Sequence, residues 1–227
     1  KTYDDVDLFI APSRFMKDVC VRFGVPEKKI KVIYNFIDTD GKFFAANNQA
    51  EEKYLLYFGR LSHEKGVDNL LEAMAKIGGN LKLKIAGSGA EFKKLEDKIK
   101  RLGLDRVELL GQKFGQELIN LIVDAKAVII PSIWNENMPF SMLEAMAEGK
   151  VVIASRTGGI GEIIRDKENG FLFKYGNIDE LAEKIQDLDK FDLNKIGQAA
   201  IKRVMELNET AHYRDIMEVY EKLRIKN

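Results

Sequence analysis

The stretch Tyr54-Leu55-Leu56-Tyr57-Phe58-Gly59-Arg60-Leu61-Ser62-His63-Glu64-Lys65-Gly66-Val67 decides the fold. Tyr54 to Phe58 is apolar throughout, without the alternation of a sheet that has one wet face. Such a run predicts a strand buried on both sides, the condition of a parallel sheet. A turn bounded by Gly59 and Gly66 follows, and Val67 to Ile77 then reads as a helix. The same rhythm of strand, turn and helix repeats along the chain. Strands are predicted at 81–86, 107–110, 127–130, 151–154 and 171–173. Helices are predicted at 91–102, 117–123 and 139–147, with a short one near Glu162. Strands alternating with helices predict an α/β fold: a doubly wound, parallel, Rossmann-like sheet with helices on both faces. Ligands of such sheets bind beyond the carboxyl ends of the strands, so chemistry is expected in the turns.

Outward from this unit the signals weaken. Before it, Val6 to Ala11 reads as a strand, Ser13 caps a helix running to about Phe23, Gly24 ends that helix, and Ile30 to Tyr34 reads as a strand. Residues 39–52 look like a linker. The end of the chain reads as helices from Ile178 to Leu188 and from Asn194 to Leu223. The opening residue, Lys1, reads as mid-protein sequence, a piece of something longer. A processed mature chain is the alternative.

Composition narrows the function. The 227 residues are 45% apolar and 32% charged, enough for a core under a well-solvated surface. The 36 basic and 36 acidic residues cancel, which gives no reason to expect nucleic acid as a partner. A single cysteine, Cys20, forbids an internal disulfide and fits a reducing compartment. No apolar run is long enough to span a bilayer, and no signal peptide is visible. His63 and His212, with Cys20, lack metal-ligand spacing.

Four turns carry candidate chemistry. In the first, Arg60 forks two hydrogen bonds onto phosphate oxygens, Lys65 adds a compact charge, and Gly59 and Gly66 allow close backbone approach. The competing reading is a solvated loop with two ordinary surface cations. The second turn, Gly87-Ser88-Gly89, lacks the third glycine of a dinucleotide fingerprint, since Phe92 stands there. Close approach to a ligand or tight helix packing explains its glycines better. The third turn runs Pro131-Ser132-Ile133-Trp134-Asn135-Glu136-Asn137-Met138-Pro139 into a helix containing Glu144. Pro139 suits the first helical position after a cap-like Met138, leaving the amides of Phe140 and Ser141 open to phosphate. Glu136 and Glu144 both reach the mouth of the cleft, where carboxylates accept hydrogen bonds from vicinal hydroxyls. Against this stands a solvated face for the two glutamates. Trp134 reads as packing at the loop base, and His63 as a loop polar residue rather than a base. The fourth turn, Thr157-Gly158-Gly159-Ile160-Gly161-Glu162, has a mobile loop as its plain reading.

The runs GRLSHEKGVDNLLEAM (59–74), PSIWNENMPFSMLEAMAEGKVVIAS (131–155) and TGGIGEIIRDKENGFL (157–172) together resemble family 4 retaining glycosyltransferases of GT-B fold. The resemblance covers about residues 5 to 225. It implies that residues 1–45 are a remnant of an N-terminal acceptor domain with its linker. Residues 46–205 would be the Rossmann-like domain that binds the nucleotide sugar. Residues 206–227 would be a helix extending back toward an N-terminal domain largely missing here. It implies that Arg60 and Lys65 bind the donor diphosphate, that Glu136 meets the hydroxyls of the transferred sugar, and that Glu144 meets those of the ribose. Gly59 and the backbone of Met138, Pro139, Phe140, Ser141, Met142 and Leu143 would complete the phosphate site, and Gln112 and Lys113 would lie near the base. Pro139 departs from the family, many members having glycine there.

The implied reaction transfers a sugar from a nucleotide diphosphate, with retention, to a glycan, lipid or small-molecule acceptor in polysaccharide or glycolipid synthesis. No cofactor and no obligatory metal are implied. The implied location is cytoplasmic, including the inner membrane face. A GT-B epimerase or phosphorylase, or a non-catalytic nucleotide-sugar module, are the rival readings.

Overall fold

A computed structural model describes residue 3 and residues 5–37 and 54–224. The expected linker at 39–52, and with it the expected boundary between 45 and 46, lies outside the described residues. The main unit is a six-stranded, wholly parallel sheet. Its strands are β3 (Tyr54–Phe58), β4 (Lys82–Ala86), β5 (Val107–Gly111), β6 (Ala125–Ile130), β7 (Val151–Arg156) and β8 (Phe171–Lys174), in the order β5-β4-β3-β6-β7-β8. This order reverses between β3 and β6, so their carboxyl ends flank the switch-point crevice of a doubly wound sheet.

The apolar runs divide between two cores by the two-residue period of a strand. Leu55 and Tyr57 of β3 face a cluster built with helices α2 (Val67–Lys76), α3 (Phe92–Arg101) and α7 (Ile178–Gln186). Tyr54, Leu56 and Phe58 face the opposite cluster, with α4 (Gly115–Val123), α5 (Phe140–Ala147) and α8 (Leu193–Met205). All of β3 is buried, as a central strand covered on both faces must be. Each fully buried leucine or methionine contributes about 1.5–3 kcal/mol of transfer free energy.

A smaller unit precedes the sheet. Here β1 (Phe9–Ala11) pairs in parallel with β2 (Ile30–Val32), and α1 (Arg14–Arg22) crosses between them. Both strands are shorter than the apolar runs suggest, since each has only the other for a partner among the described residues. The Ser13 hydroxyl accepts from Met16 N at 3.0 Å, the cap expected at that position.

The long terminal helix expected from Asn194 to Leu223 is two helices. α8 stops at Met205, and α9 (Glu209–Arg224) starts after a break at residues 206–208. Asn208 makes the break. Its Nδ2 donates to Met205 O at 2.8 Å, and its Oδ1 accepts from Ala211 N at 2.9 Å. The break also serves packing: Ile37 N donates to Leu207 O at 3.1 Å, and His212 Nδ1 donates to Tyr34 O at 2.8 Å. These bonds tie the chain leaving β2 to the start of α9.

Candidate active site at the sheet switch point

The turn after β3 and the turn after β6 meet at the switch point. Tyr57 OH donates to Arg60 O at 2.7 Å, fixing the start of the first turn. His63–Lys65 form one 3-10 turn, closed by Gly66 at φ 67°. Gly66 is required here: a Cβ would lie 2.0 Å from Pro131 O on the neighbouring turn. Across the same seam Ile133 N donates to Glu64 O at 2.9 Å. On the other side, Leu61 N donates to Ser88 O at 2.8 Å, and Gly87 lies against the Gly59 carbonyl. The Gly87-Ser88-Gly89 turn therefore owes its glycines to contact with a neighbouring turn, a third reason beside the two expected.

Lys65 Nζ donates to Glu136 Oε1 at 2.6 Å, and Ser132 Oγ donates to the same oxygen at 2.6 Å. No protein group bonds Oε2 among the described residues. Arg60 is exposed and forms no ion pair among them. The arrangement is thus one guanidinium unspent on ion pairs among the described residues, beside a lysine and a carboxylate held in register.

Three adjoining clefts share Arg60. One, of about 380 Å³, is lined by Gly59, Arg60, Lys65, Ser132, Glu136, Met138, Pro139, Phe140, Ser141 and Glu144, with Tyr57 and Phe58 beneath. A second, of about 530 Å³, lies beyond β4 and β5 and includes Ser88, Gln112, Lys113 and Phe114. There Ser88 Oγ donates to Gln112 Oε1 at 3.0 Å, and Lys113 pairs with Glu117. The third lies between Arg60, His63 and Trp134. The structure brings Arg60, Lys65, Glu136 and Glu144 to one cleft and sets Gln112 and Lys113 in the adjoining one.

The helix start differs from expectation in one residue of register. Pro139 is the cap, with extended backbone (φ −69°, ψ 130°), and Phe140 is the first helical residue. The ring of Pro139 fixes φ equally well at either position. Pro139 O accepts from Met142 N at 3.1 Å and from Leu143 N at 3.5 Å. Those two side chains are fully buried, so of the run Met138 to Leu143 the amides left open at the helix start are those of Phe140 and Ser141.

Burial raises the carboxyl pKa of Glu144 above the usual carboxylate range. Burial first, and then the negative Glu136 and Glu64, push the Tyr57 phenol far up, while Arg60 pulls the other way. Among the described residues no three His, Cys, Asp or Glu side chains converge as a metal site. No helix among them is long and apolar enough to cross a membrane.

Trp134 corrects the reading that placed it at the loop base: it is 68% exposed. Ser132 and Tyr57 were not singled out from the sequence. Ser132 carries a weak signal, a hydroxyl placed directly after a strand that ends in the crevice. Thr157-Gly158-Gly159, which leads into the short helix α6 (Ile160–Ile163), is a buttress rather than a mobile loop. Gly159 N donates to Glu136 O at 2.8 Å, and Thr157 Oγ1 donates to Asn135 Oδ1 at 2.8 Å.

Comparison with known proteins agrees with this architecture. Residues 38–203 match the family model described as "Glycosyl transferases group 1", and residues 1–41 match "Glycosyltransferase Family 4". An uncharacterised glycosyltransferase of Methanocaldococcus jannaschii is 37% identical over 198 residues, 80% of this chain and 50% of that protein. A lipopolysaccharide 1,6-galactosyltransferase of Escherichia coli is 29% identical over 177 residues, 76% of this chain and 49% of that protein. The crystal structure of Anabaena HepE in complex with UDP-glucose superposes with a TM-score of 0.86 at 26% identity. The match covers 97% of this chain and 65% of that one. The chain spans about half the length of the curated relatives it matches. A parallel sheet wound in this order, with a family model spanning it from one end to the other, places the chain in the group 1 glycosyltransferases of GT-B fold.

Proposed function

We propose that this chain carries the donor site of a retaining glycosyltransferase, one that moves a sugar from a nucleoside diphosphate to a glycan or lipid-linked acceptor. The observation that carries the reading is the pairing of Lys65 with Glu136, beside an Arg60 that forms no ion pair among the described residues and the open start of α5. Cations and open amides suit a diphosphate, while a carboxylate with one oxygen that no described residue bonds suits sugar hydroxyls. The leaving diphosphate gains charge as the glycosidic bond breaks. Arg60, Lys65 and the amides of Phe140 and Ser141 stabilise that charge without reorganising, and each such donor supplies about 2–4 kcal/mol to the transition state. Lys65 has a second task, since its ammonium orients Glu136 toward the sugar. Glu144 receives the ribose diol, and the cleft at Gln112 and Phe114 receives the base.

UDP-glucose in the HepE complex, and galactosyl transfer to lipopolysaccharide by the E. coli relative, make a UDP-hexose the first donor to try and a cell-envelope glycan the first acceptor. The test is a thermal-shift screen of UDP-, GDP- and ADP-glucose, followed by calorimetry. The selected nucleotide binds the unaltered chain, and Arg60→Ala and Lys65→Ala each weaken it at least about tenfold. Unchanged affinity in both variants sinks the diphosphate assignment. A chain that binds inorganic phosphate or a free sugar phosphate in preference to any nucleotide is a phosphorylase-type module instead.

A further inference from the structure

Glu162 lines none of the clefts above, yet its carboxylate is fully engaged. Its Oε1 accepts from Phe15 N at 2.9 Å, and its Oε2 accepts from Arg14 N at 2.9 Å and Tyr34 OH at 2.9 Å. A carboxylate from a distant turn thus closes the open amide end of α1, where the helix dipole favours negative charge. The cap residue of the same helix, Ser13, is fully buried, and its hydroxyl bonds the side chain of Asn137. Asn35 Nδ2 donates to Met138 O at 3.3 Å. The contact is tight on the side of Glu162 as well, because a Cβ on Gly159 would lie 1.9 Å from Asn137 O and 2.9 Å from Ser13 Cβ. Residues 13–35, the turn bearing Glu162 and the loop at 136–138 therefore form one knot. Asn137 and Met138 stand directly after Glu136, the carboxylate assigned to the donor sugar. The turn bearing Arg60 has anchors outside this knot, the bonds from Tyr57 OH to Arg60 O, from Leu61 N to Ser88 O and from Ile133 N to Glu64 O.

We infer that Glu162 is a positioning residue for the sugar half of the donor: by holding the start of α1, it sets Asn137 through Ser13 and thereby the carboxylate of Glu136. This rests on the donor-site reading above. Its consequence is selective. Loosening the knot lowers affinity for the sugar-bearing nucleotide and leaves the diphosphate grip of Arg60 in place.

The test is calorimetry of the whole chain with a nucleoside diphosphate and its glucose ester, the pair selected by the screen of UDP-, GDP- and ADP-glucose. Glu162→Ala removes all three acceptor contacts. Ser13→Ala cuts the link to Asn137 and leaves the carboxylate in place. Both variants are expected to weaken the sugar nucleotide about five- to tenfold, the loss of one well-placed hydrogen bond. The bare diphosphate is expected to move by less than about twofold. Glu162→Gln, which keeps one acceptor oxygen, is expected to fall between. A lowered melting temperature alone moves both ligands equally, so equal losses, or none, overturn the inference. If Glu162→Ala does not fold, Ser13→Ala decides by the same comparison. If the unaltered chain binds neither ligand, the donor-site reading itself fails, an outcome distinct from equal losses.

Discussion

Gly66→Ala is expected to damage both fold and site, and its size follows from two separable terms. Gly66 has φ 67°, where an L-residue costs about 1–2 kcal/mol; reduced freedom of the unfolded chain returns about 0.4–1 kcal/mol. That leaves about 1 kcal/mol of net loss. The second term is steric. The new methyl would sit 2.0 Å from Pro131 O and 2.9 Å from its carbonyl carbon, and backbone on a second turn yields poorly. Overpacking of this kind adds about 1–3 kcal/mol, for a total of about 2–4 kcal/mol. Gly79→Ala isolates the first term, because Gly79 has φ 81° with nothing within 4 Å of the would-be Cβ. Urea unfolding followed by circular dichroism measures both. Gly66→Ala is expected to lose about 1–3 kcal/mol more than Gly79→Ala. It is also expected to weaken nucleotide-sugar binding, since parting the two turns pulls Lys65 from Glu136. Equal destabilisation by the two variants would refute the claim that the turns are packed backbone to backbone.

Three further outcomes are expected. Burial favours the protonated form of Glu144, so the stability it contributes is present below its ordinary value of 4.5 and is lost as pH rises through the raised pKa. Ribose hydroxyls favour the ionised form, so nucleotide-sugar affinity falls as pH drops through a value above 4.5. Glu144→Gln flattens that limb in calorimetry, and a flat profile in the unaltered chain counts against the ribose role. Tyr57→Phe leaves Arg60 O without its donor and is expected to cost about 1–2 kcal/mol in urea unfolding. The same variant leaves the tyrosinate absorbance step near pH 10 unchanged in height, because Tyr57 titrates well above it. Trp134 is the sole tryptophan and 68% exposed, so acrylamide is expected to quench emission nearly as well as for free indole. Strong protection would return Trp134 to the loop base.

The sheet was legible because its central strands, 54–58 and 127–130, are unbroken apolar runs closed by Gly59 and Pro131, and such runs call for burial on both faces. The cluster of Arg60, Lys65, Glu136 and Glu144 was legible for a related reason: a doubly wound sheet brings the ends of β3 and β6 side by side however far apart they are in the chain. What stayed hidden depended on contacts between turns. The break at 206–208 has a local signal, Asn208 before Glu209, but the packing it serves, the bond from Ile37 N to Leu207 O, joins segments far apart in the chain. Trp134 resembled a packing residue because large rings usually are buried. Glu162 sits in a turn whose plain reading is a mobile loop, and its partners Arg14, Phe15 and Tyr34 lie on a separate unit.

The seams between successive turns have a consequence for how donor choice can change. Gly66 rests on Pro131, Gly87 on Gly59, and Gly158 on Glu136, each backbone against backbone. The rim of the cleft behaves as a single course of fitted stones, in which lengthening one shifts the next. Insertions in any of these turns would unseat the diphosphate grip proposed for Arg60 and Lys65 along with whatever they were meant to alter. Room for variation lies in side chains that face the opening and bear no such seam, Phe114, Phe140 and Trp134 among them, all more than half exposed. An engineer seeking a new sugar or base should exchange those and leave the length of every turn alone.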